Sequence, residues 1–271
     1  MYSKLLTNED ANNINLLKES LARSVAEKFD YVVSYGAYSG MRLLPFQFWG
    51  QGDLGTKILG LYEKEVVELF ARIKKKHHYS ILVDVGAADG YYAIGSLYSH
   101  DVNEVIAFEN SERGRENLLK HAKLNKVDNK ITLLNKATET TLEKILSERS
   151  ADLSDMIFLV DIEGAEYTLF NTNIMSLLSK NHIIIEVHDC LIQDKYNTTD
   201  DITPNQFESA VEKRKLYELV TQTHDVEVIW QANRSGSQFE FLRSWPDYDR
   251  ALLLSEGRTS MGCWWYLSPK S

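Results

Sequence analysis

The chain has 271 residues, enough for one large domain or a domain with a cap but short for two full domains. Its composition, 44% hydrophobic and 25% charged, is that of an ordinary globular protein. The formal charge of −9 argues against a broad basic face for DNA or RNA, and no nucleic-acid partner is expected. In chain order, Asn8 to Lys28 is predicted as an amphipathic helix, with Ile14, Leu17, Leu21 and Val25 at helical spacing. Tyr31 to Gly60 is rich in glycine and aromatics (Tyr35, Tyr38, Phe46, Phe48, Trp49) and reads as a cap near the mouth of a main domain that starts at residue 61. Leu61-Tyr62-Glu63-Lys64 begins a helix just ahead of the first strand.

From residue 80 a rhythm sets in. Ser80 to Val85 is a buried-strand pattern, Tyr91 to Ser99 a helix, and Glu104 to Phe108 a second strand. Glu112 to Leu124 is helical, with Leu118, Leu119 and Ala122 on one face. Ile131 to Leu134 is a third strand, Thr141 to Glu148 a helix, and Met156 to Ile162 a fourth strand. A helix over Ala165 to Leu178 leads to a fifth strand, His182 to Val187. Near-continuous apolar strands alternating with amphipathic helices predict a parallel sheet covered on both faces. Beyond it come a polar loop (194–203), a helix from Asn205 to Thr221, and two late strands, Val226 to Gln231 and Cys263 to Leu267. The expectation is a seven-stranded, mostly parallel α/β sheet closed by an antiparallel edge hairpin. The aromatic-rich stretch from Ser235 to Arg258 is long enough to be a functional loop.

Cys190 and Cys263 form no CxxC pair, so reduced thiols in a cytoplasm fit better than a zinc knuckle or disulfide framework. The first ten residues lack the apolar core of a signal peptide, and no apolar run approaches the roughly 20 residues that span a bilayer. A soluble cytoplasmic protein without a membrane partner is expected.

The sharpest local signal is Asp84-Val85-Gly86-Ala87-Ala88-Asp89-Gly90, directly after a strand and directly before the helix that opens at Tyr91. Glycines at 86 and 90 permit a tight turn and a close backbone approach to a ligand. The helix start suits a carboxylate, and an acid at the strand end can face an ammonium group. Glu109, with Asn110 beside it, ends the second strand, where a carboxylate can accept both ribose hydroxyls of a nucleoside. Asn135 ends the third strand, where it either meets the adenine or is an ordinary surface residue. The G-x-G-x-x-G spacing of dinucleotide-binding enzymes is not met, because Ala88 stands where the second glycine would be. The acid before the first glycine also favours S-adenosylmethionine over a dinucleotide. In such a fold the stretch before the first strand borders the donor, so Tyr62 and Glu63 are candidates for its methionine end; an ordinary helix start is the equal alternative.

Together with Asp161-Ile162-Glu163-Gly164-Ala165-Glu166 and Glu186-Val187-His188, these residues resemble the FkbM-type family of class I methyltransferases. That family joins a glycine turn like VDVGAADGYYA (Val83 to Ala93) to D-x-E-G-x-E and E-x-H elements, and the resemblance covers roughly residues 60 to 190. It implies the Rossmann-like class I methyltransferase fold, S-adenosylmethionine as donor, and O-methylation of a sugar, polyketide or similar small molecule.

Methylating a hydroxyl requires removal of a proton, by a general base or with a metal ion that lowers its pKa. Asp161, Glu163, Glu186, His188 and Asp189 are expected to converge above the ends of strands four and five, where ligands of open α/β sheets sit. His188 is the candidate base, with Asp161 and Glu186 as further catalytic candidates. Asp161, Glu186 and His188 as ligands of a divalent cation are the second reading, behind the metal-free base. Glu163 and Glu166 are placed to support a helix N-terminus. Arg243, Arg258, Trp264 and Trp265 fit core and surface roles. N-methylation and a non-catalytic donor-binding protein are the other functions compatible with the same pocket.

Overall fold

The computed structural model describes residues 8–48, 50–149, 155–188, 204–258 and 261–270. They form two compact units: the described residues up to Lys64 with Ala232–Arg258, and Glu65–Gln231 with the described residues from 261 on.

The first unit contains α1 (Asn8–Lys28) and α2 (Leu54–Ile58). The apolar stripe expected along α1 is displaced. Ile14 and Leu17 are exposed, and the buried face is Lys18, Ala22, Val25 and Ala26. The small residues explain the shift. A Cβ on Gly55 of α2 would lie 3.2 Å from the Ala22 Cα, so the two helix backbones meet where both lack bulk. Phe29, Tyr35, Phe239 and Phe241 form an edge-on aromatic cluster. The stretch expected as a long loop carries a 3₁₀ turn at Glu240–Leu242 and a helix at Asp247–Leu254, whose Leu253 reaches Gly55.

The second unit is the α/β sheet. Its elements, in order, are α3 (Lys64–Lys74), β1 (Ile81–Val85), α4 (Tyr91–Tyr98), β2 (Glu104–Phe108), α5 (Glu112–Leu124), β3 (Ile131–Leu134), α6 (Glu139–Glu148) and β4 (Met156–Val160). There follow α7 (Glu166–Leu169), α8 (Thr172–Leu177), β5 (His182–Glu186), α9 (Pro204–Val220), β6 (His224–Trp230) and β7 (Cys263–Pro269). The sheet order is β3-β2-β1-β4-β5-β7-β6. The first five strands run parallel, and β7 pairs antiparallel with β5 and β6. This is the doubly wound, Rossmann-like architecture with an antiparallel edge that the sequence predicts.

Alternate strand residues divide the core. Val83, Val85, Phe108, Phe158, Val160, Ile183, Ile185 and Trp265 face Leu142, Leu146, Ile174, Met175, Leu216 and Val220 of α6, α8 and α9. Trp264 and Trp265 are buried, as befits core residues. Two departures from the expected helices bear on the site. The helix foreseen over 165–178 is broken at Phe170, which is extended, and Asn171 caps the second piece by accepting from the Ile174 N–H. The helix foreseen from Leu61 starts at Lys64, because Glu63 has φ of 40° and sits in a left-handed turn. Among the described residues, no helix is long and apolar enough to cross a membrane.

Candidate active site

The parallel register aligns Val85, Phe108, Leu134, Val160 and Ile185 across neighbouring strands. The residues that follow each of them therefore emerge along one edge of the sheet: 86–90, 109–110, 135, 161–166 and 186–188.

The loop after β1 is pinned by backbone bonds, since the Gly86 and Ala87 N–H groups both donate to the Phe108 carbonyl at 2.9 Å. Gly86 has φ of 97°, and a Cβ there would overlap the carbonyl oxygen of Asp161. The close approach that requires glycine is thus to the end of β4. Gly90 is the N-cap of α4 with φ of 83°, and a Cβ would press on Leu118 at 2.9 Å and Ile94 at 3.0 Å. Between them Ala88 also has a positive φ of 48°.

Three carboxyl groups belong to this loop region. Asp84, only 2% exposed, accepts from the Ala93 backbone N–H, yet its Oδ2 is buried and has no hydrogen-bond partner among the described residues. Burial, and then the charge of Glu109, push its pKa up to about 7, against the opposing pull of that N–H. Asp89 is buried, and its carbonyl accepts from the His121 Nδ1 at 2.9 Å. Glu109 accepts from the Ala88 N–H at 2.8 Å through Oε2 and from the Ser111 N–H at 2.6 Å through Oε1. It fits there because α5 carries Gly114, where a Cβ would come within 2.7 Å of the Glu109 Cγ. Glu109 therefore ties the β1 loop to the start of α5, a structural duty beyond the ribose contact expected of it.

Tyr91 is buried edge-on against Tyr92, whereas Asn110 and Asn135 are exposed at the ends of β2 and β3. The Asn110 carbonyl accepts from Arg115. Tyr62 and Glu63 belong to the first unit. There Glu63 pairs with Arg258 and donates its N–H to Glu256, while the Tyr62 ring lies 5.0 Å from the Lys57 ammonium.

For the S-adenosylmethionine-type donor that the sequence predicts, replacing Glu109 by alanine is expected to weaken binding of S-adenosylhomocysteine by roughly 1.5–3 kcal/mol, the range for hydrogen bonds to a charged group. Because two backbone donors lose their acceptor, the melting temperature should fall by several degrees as well. Calorimetry and thermal unfolding read the two effects separately. An unchanged affinity would reduce Glu109 to a loop clasp.

The second cluster lies on the same sheet edge. Glu163 and Gly164 have φ of 55° and 91°, which turn the chain sharply after Asp161. The turn returns Glu166, fully buried, so that its Oε2 accepts from the Gly164 N–H at 2.9 Å. Its Oε1 accepts from the His188 backbone N–H at 2.9 Å and faces the ring Nδ1 at 3.2 Å. The other ring nitrogen, Nε2, lies 3.5 Å from Asp161 Oδ1, 3.7 Å from Glu186 Oε1 and 3.7 Å from Glu163 Oε2. Asp161, Glu186 and His188 thus come together as expected, and Asp189 lies outside the described residues. Burial alone would lower the His188 pKa. The Glu166 hydrogen bond and the charges of Asp161, Glu186 and Glu166 outweigh it, and the ring rises to about 10. A ring that holds its proton at neutral pH takes up no second one, so His188 serves as a base only where that negative charge is offset.

From sequence, Glu166 reads only as an acid at a helix start. Its link to His188 spans 22 residues, and the last position of D-x-E-G-x-E was the signal for it.

No family model matches the chain, and no curated protein does. Solved structures of similar fold include an O-methyltransferase from Bacillus cereus in complex with S-adenosylhomocysteine, 13% identical with a TM-score of 0.42, covering 76% of this chain and 89% of that one. A SAM-dependent methyltransferase from Geobacter sulfurreducens, also bound to S-adenosylhomocysteine, is 13% identical with a TM-score of 0.45 over 77% and 91% of the two chains. The precorrin-6y C5,15-methyltransferase of Geobacter metallireducens is 11% identical with a TM-score of 0.44 over 76% and 87%.

Proposed function

We propose that this chain is a methyltransferase that uses S-adenosylmethionine to methylate a hydroxyl of a small-molecule acceptor. The observation that carries the donor assignment is Asp84, a buried carboxyl with an unsatisfied oxygen at the head of the glycine turn. A buried polar atom without a partner is costly and marks a place where a ligand donor belongs. With Asp89 and Glu109 beside the same loop, the region is acidic. That favours a cationic amino-acid ligand and repels the pyrophosphate of a dinucleotide.

In this reading Asp84 receives the donor's ammonium group, Glu109 its ribose, and Gly86 to Gly90 frame its path along the sheet edge. When bound, the donor supplies an electrophilic methyl group. The chain's remaining task is to orient the acceptor. The Asp161 Oδ1 and Glu186 Oε1 atoms are hydrogen-bond acceptors that can direct an incoming O–H group and draw off its proton. Glu166 holds His188 in place between them through Nδ1 and the backbone. The D-x-E-G-A-E and E-V-H elements that carry this cluster resemble those of FkbM-type methyltransferases, and that resemblance favours O-methylation over N-methylation.

Calorimetry with S-adenosylhomocysteine is the direct test, with micromolar-range binding expected. It is to be followed by methyl transfer from labelled donor to a panel of hydroxylated metabolites. Failure to bind at millimolar ligand would sink the donor assignment, and turnover confined to amines would redirect the acceptor assignment.

A further inference from the structure

The geometry points to a divalent cation site of the Mg²⁺ or Mn²⁺ type, ligated by Asp161, Glu186 and His188. One ligand atom from each lies within 4.8 Å of the other two. The donors come from the ends of two adjacent parallel strands, β4 and β5, whose register is fixed from Ile157–His182 to Val160–Ile185. A site built on strand ends is rigid in the way that metal coordination demands.

Two features favour an ion over a plain hydrogen-bonded cluster. The first is spacing. Nε2 of His188 is 3.5 Å from Asp161 Oδ1 and 3.7 Å from Glu186 Oε1, longer than ordinary hydrogen bonds. Donor atoms at neighbouring corners of an octahedral cation, each about 2.1–2.2 Å from it, lie roughly 3.0–3.1 Å apart, so this set reaches shared coordination by closing about half an ångström. The second is the outer carboxylate. Glu166 is fully buried and does not reach Nε2. It engages Nδ1 at 3.2 Å and the His188 backbone N–H at 2.9 Å, while its other oxygen is fixed by the Gly164 N–H. Ligating histidines are commonly oriented by a carboxylate on the second ring nitrogen, which fixes the tautomer and turns the first toward the metal. Two carboxylates with one imidazole form an oxygen-rich set that suits Mg²⁺ or Mn²⁺ better than thiophilic metals.

The site deepens the methyltransferase reading and rests on it for its purpose: an acceptor oxygen could complete the coordination and be held beside the donor loop. Its existence is testable without that reading. Chelator-treated protein is titrated with Mn²⁺ alone, and free Mn²⁺ is followed by its paramagnetic resonance signal. Binding of S-adenosylhomocysteine is measured in parallel. One Mn²⁺ per chain is expected, with tenfold or greater weakening in both Glu186→Gln and His188→Gln. Glu166→Gln acts through ring position and is expected to weaken binding by roughly 10- to 100-fold. Absence of stoichiometric Mn²⁺ uptake by the parent protein overturns the inference. So does parental Mn²⁺ affinity in folded Glu186→Gln and His188→Gln. A parent that takes up S-adenosylhomocysteine without Mn²⁺ loses the metal site and keeps the donor site; the reverse result removes the donor assignment alone.

Discussion

Gly86→Ala is expected to lower the melting temperature by about 10 °C or more, and Gly86→Val to leave little folded protein. An alanine Cβ would fall within the van der Waals envelope of the Asp161 carbonyl oxygen, and φ of 97° is itself strained for any residue with a side chain. Neither partner can step aside. Gly86 is held by its bond to Phe108, and Asp161 by donating its N–H to the Val85 carbonyl at 2.9 Å. Overlap with backbone, added to left-handed strain, puts the loss at roughly 3–5 kcal/mol, among the larger effects of single substitutions. In a chain of this size each kcal/mol moves the melting temperature by about 2–4 °C. Gly90→Ala should cost less, because the atoms it meets are the flexible ends of Leu118 and Ile94. Differential scanning calorimetry of the two alanine variants tests the ranking, and a Gly86→Ala protein as stable as the parent would refute the packing account.

Asp84→Asn is expected to move stability and donor affinity in opposite directions. Asparagine keeps an oxygen for the Ala93 N–H but removes a carboxyl whose ionisation is opposed by burial and by Glu109. The raised pKa means that the folded chain retains a proton which the unfolded chain gives up near pH 4. Folding stability therefore declines as pH rises from about 4 to 7, and the full difference is roughly 4 kcal/mol above that window. The variant should lack this decline and melt higher than the parent at pH 8. Donor binding should behave inversely. A cationic ammonium favours the ionised carboxyl, so the parent's affinity should climb with pH up to about 7, with a proton released on binding. Asp84→Asn should bind S-adenosylhomocysteine about 10- to 100-fold more weakly and with no such slope, in line with the loss of one charge-assisted hydrogen bond. Calorimetry in buffers of differing ionisation enthalpy counts the released proton. Equal proton release by parent and variant would remove Asp84 from the donor site.

The sheet was legible because its strands are short, apolar and evenly spaced, and because each parallel pair needs a helix between. Asn8–Lys28 and Glu112–Leu124 coincide with their predicted bounds. Structure and pattern part where one residue overrides periodicity: Phe170 and Asn171 divide a helix that the apolar pattern alone would continue, and Glu63 refuses the helix by its left-handed turn. The buried stripe on α1 differs from the apolar pattern because Ala22 and Ala26 carry little hydrophobic signal, yet their small side chains let another backbone come close, as Gly55 does at Ala22. In the site, residue types could be read from the motifs, but their partners could not. Glu109 bonding to Ala88, Gly86 yielding to Asp161 and Glu166 clasping His188 join segments 21, 75 and 22 residues apart. No local pattern encodes such pairings; they follow from the alignment of strand ends.

The position of β7 gives the chain an order of assembly that differs from its order of synthesis. β7 is inserted between β5 and β6, and among the described residues β6 pairs with β7 alone, so it lacks a sheet neighbour until Cys263–Pro269 is made. During translation the five parallel strands can associate while β6, with the exposed Val228 and Trp230, waits at the growing end. A strand whose backbone groups are unpaired is a template for pairing with other chains. Between the emergence of Trp230 and of Pro269, a nascent polypeptide of this sequence carries an open strand that its neighbours can pair with.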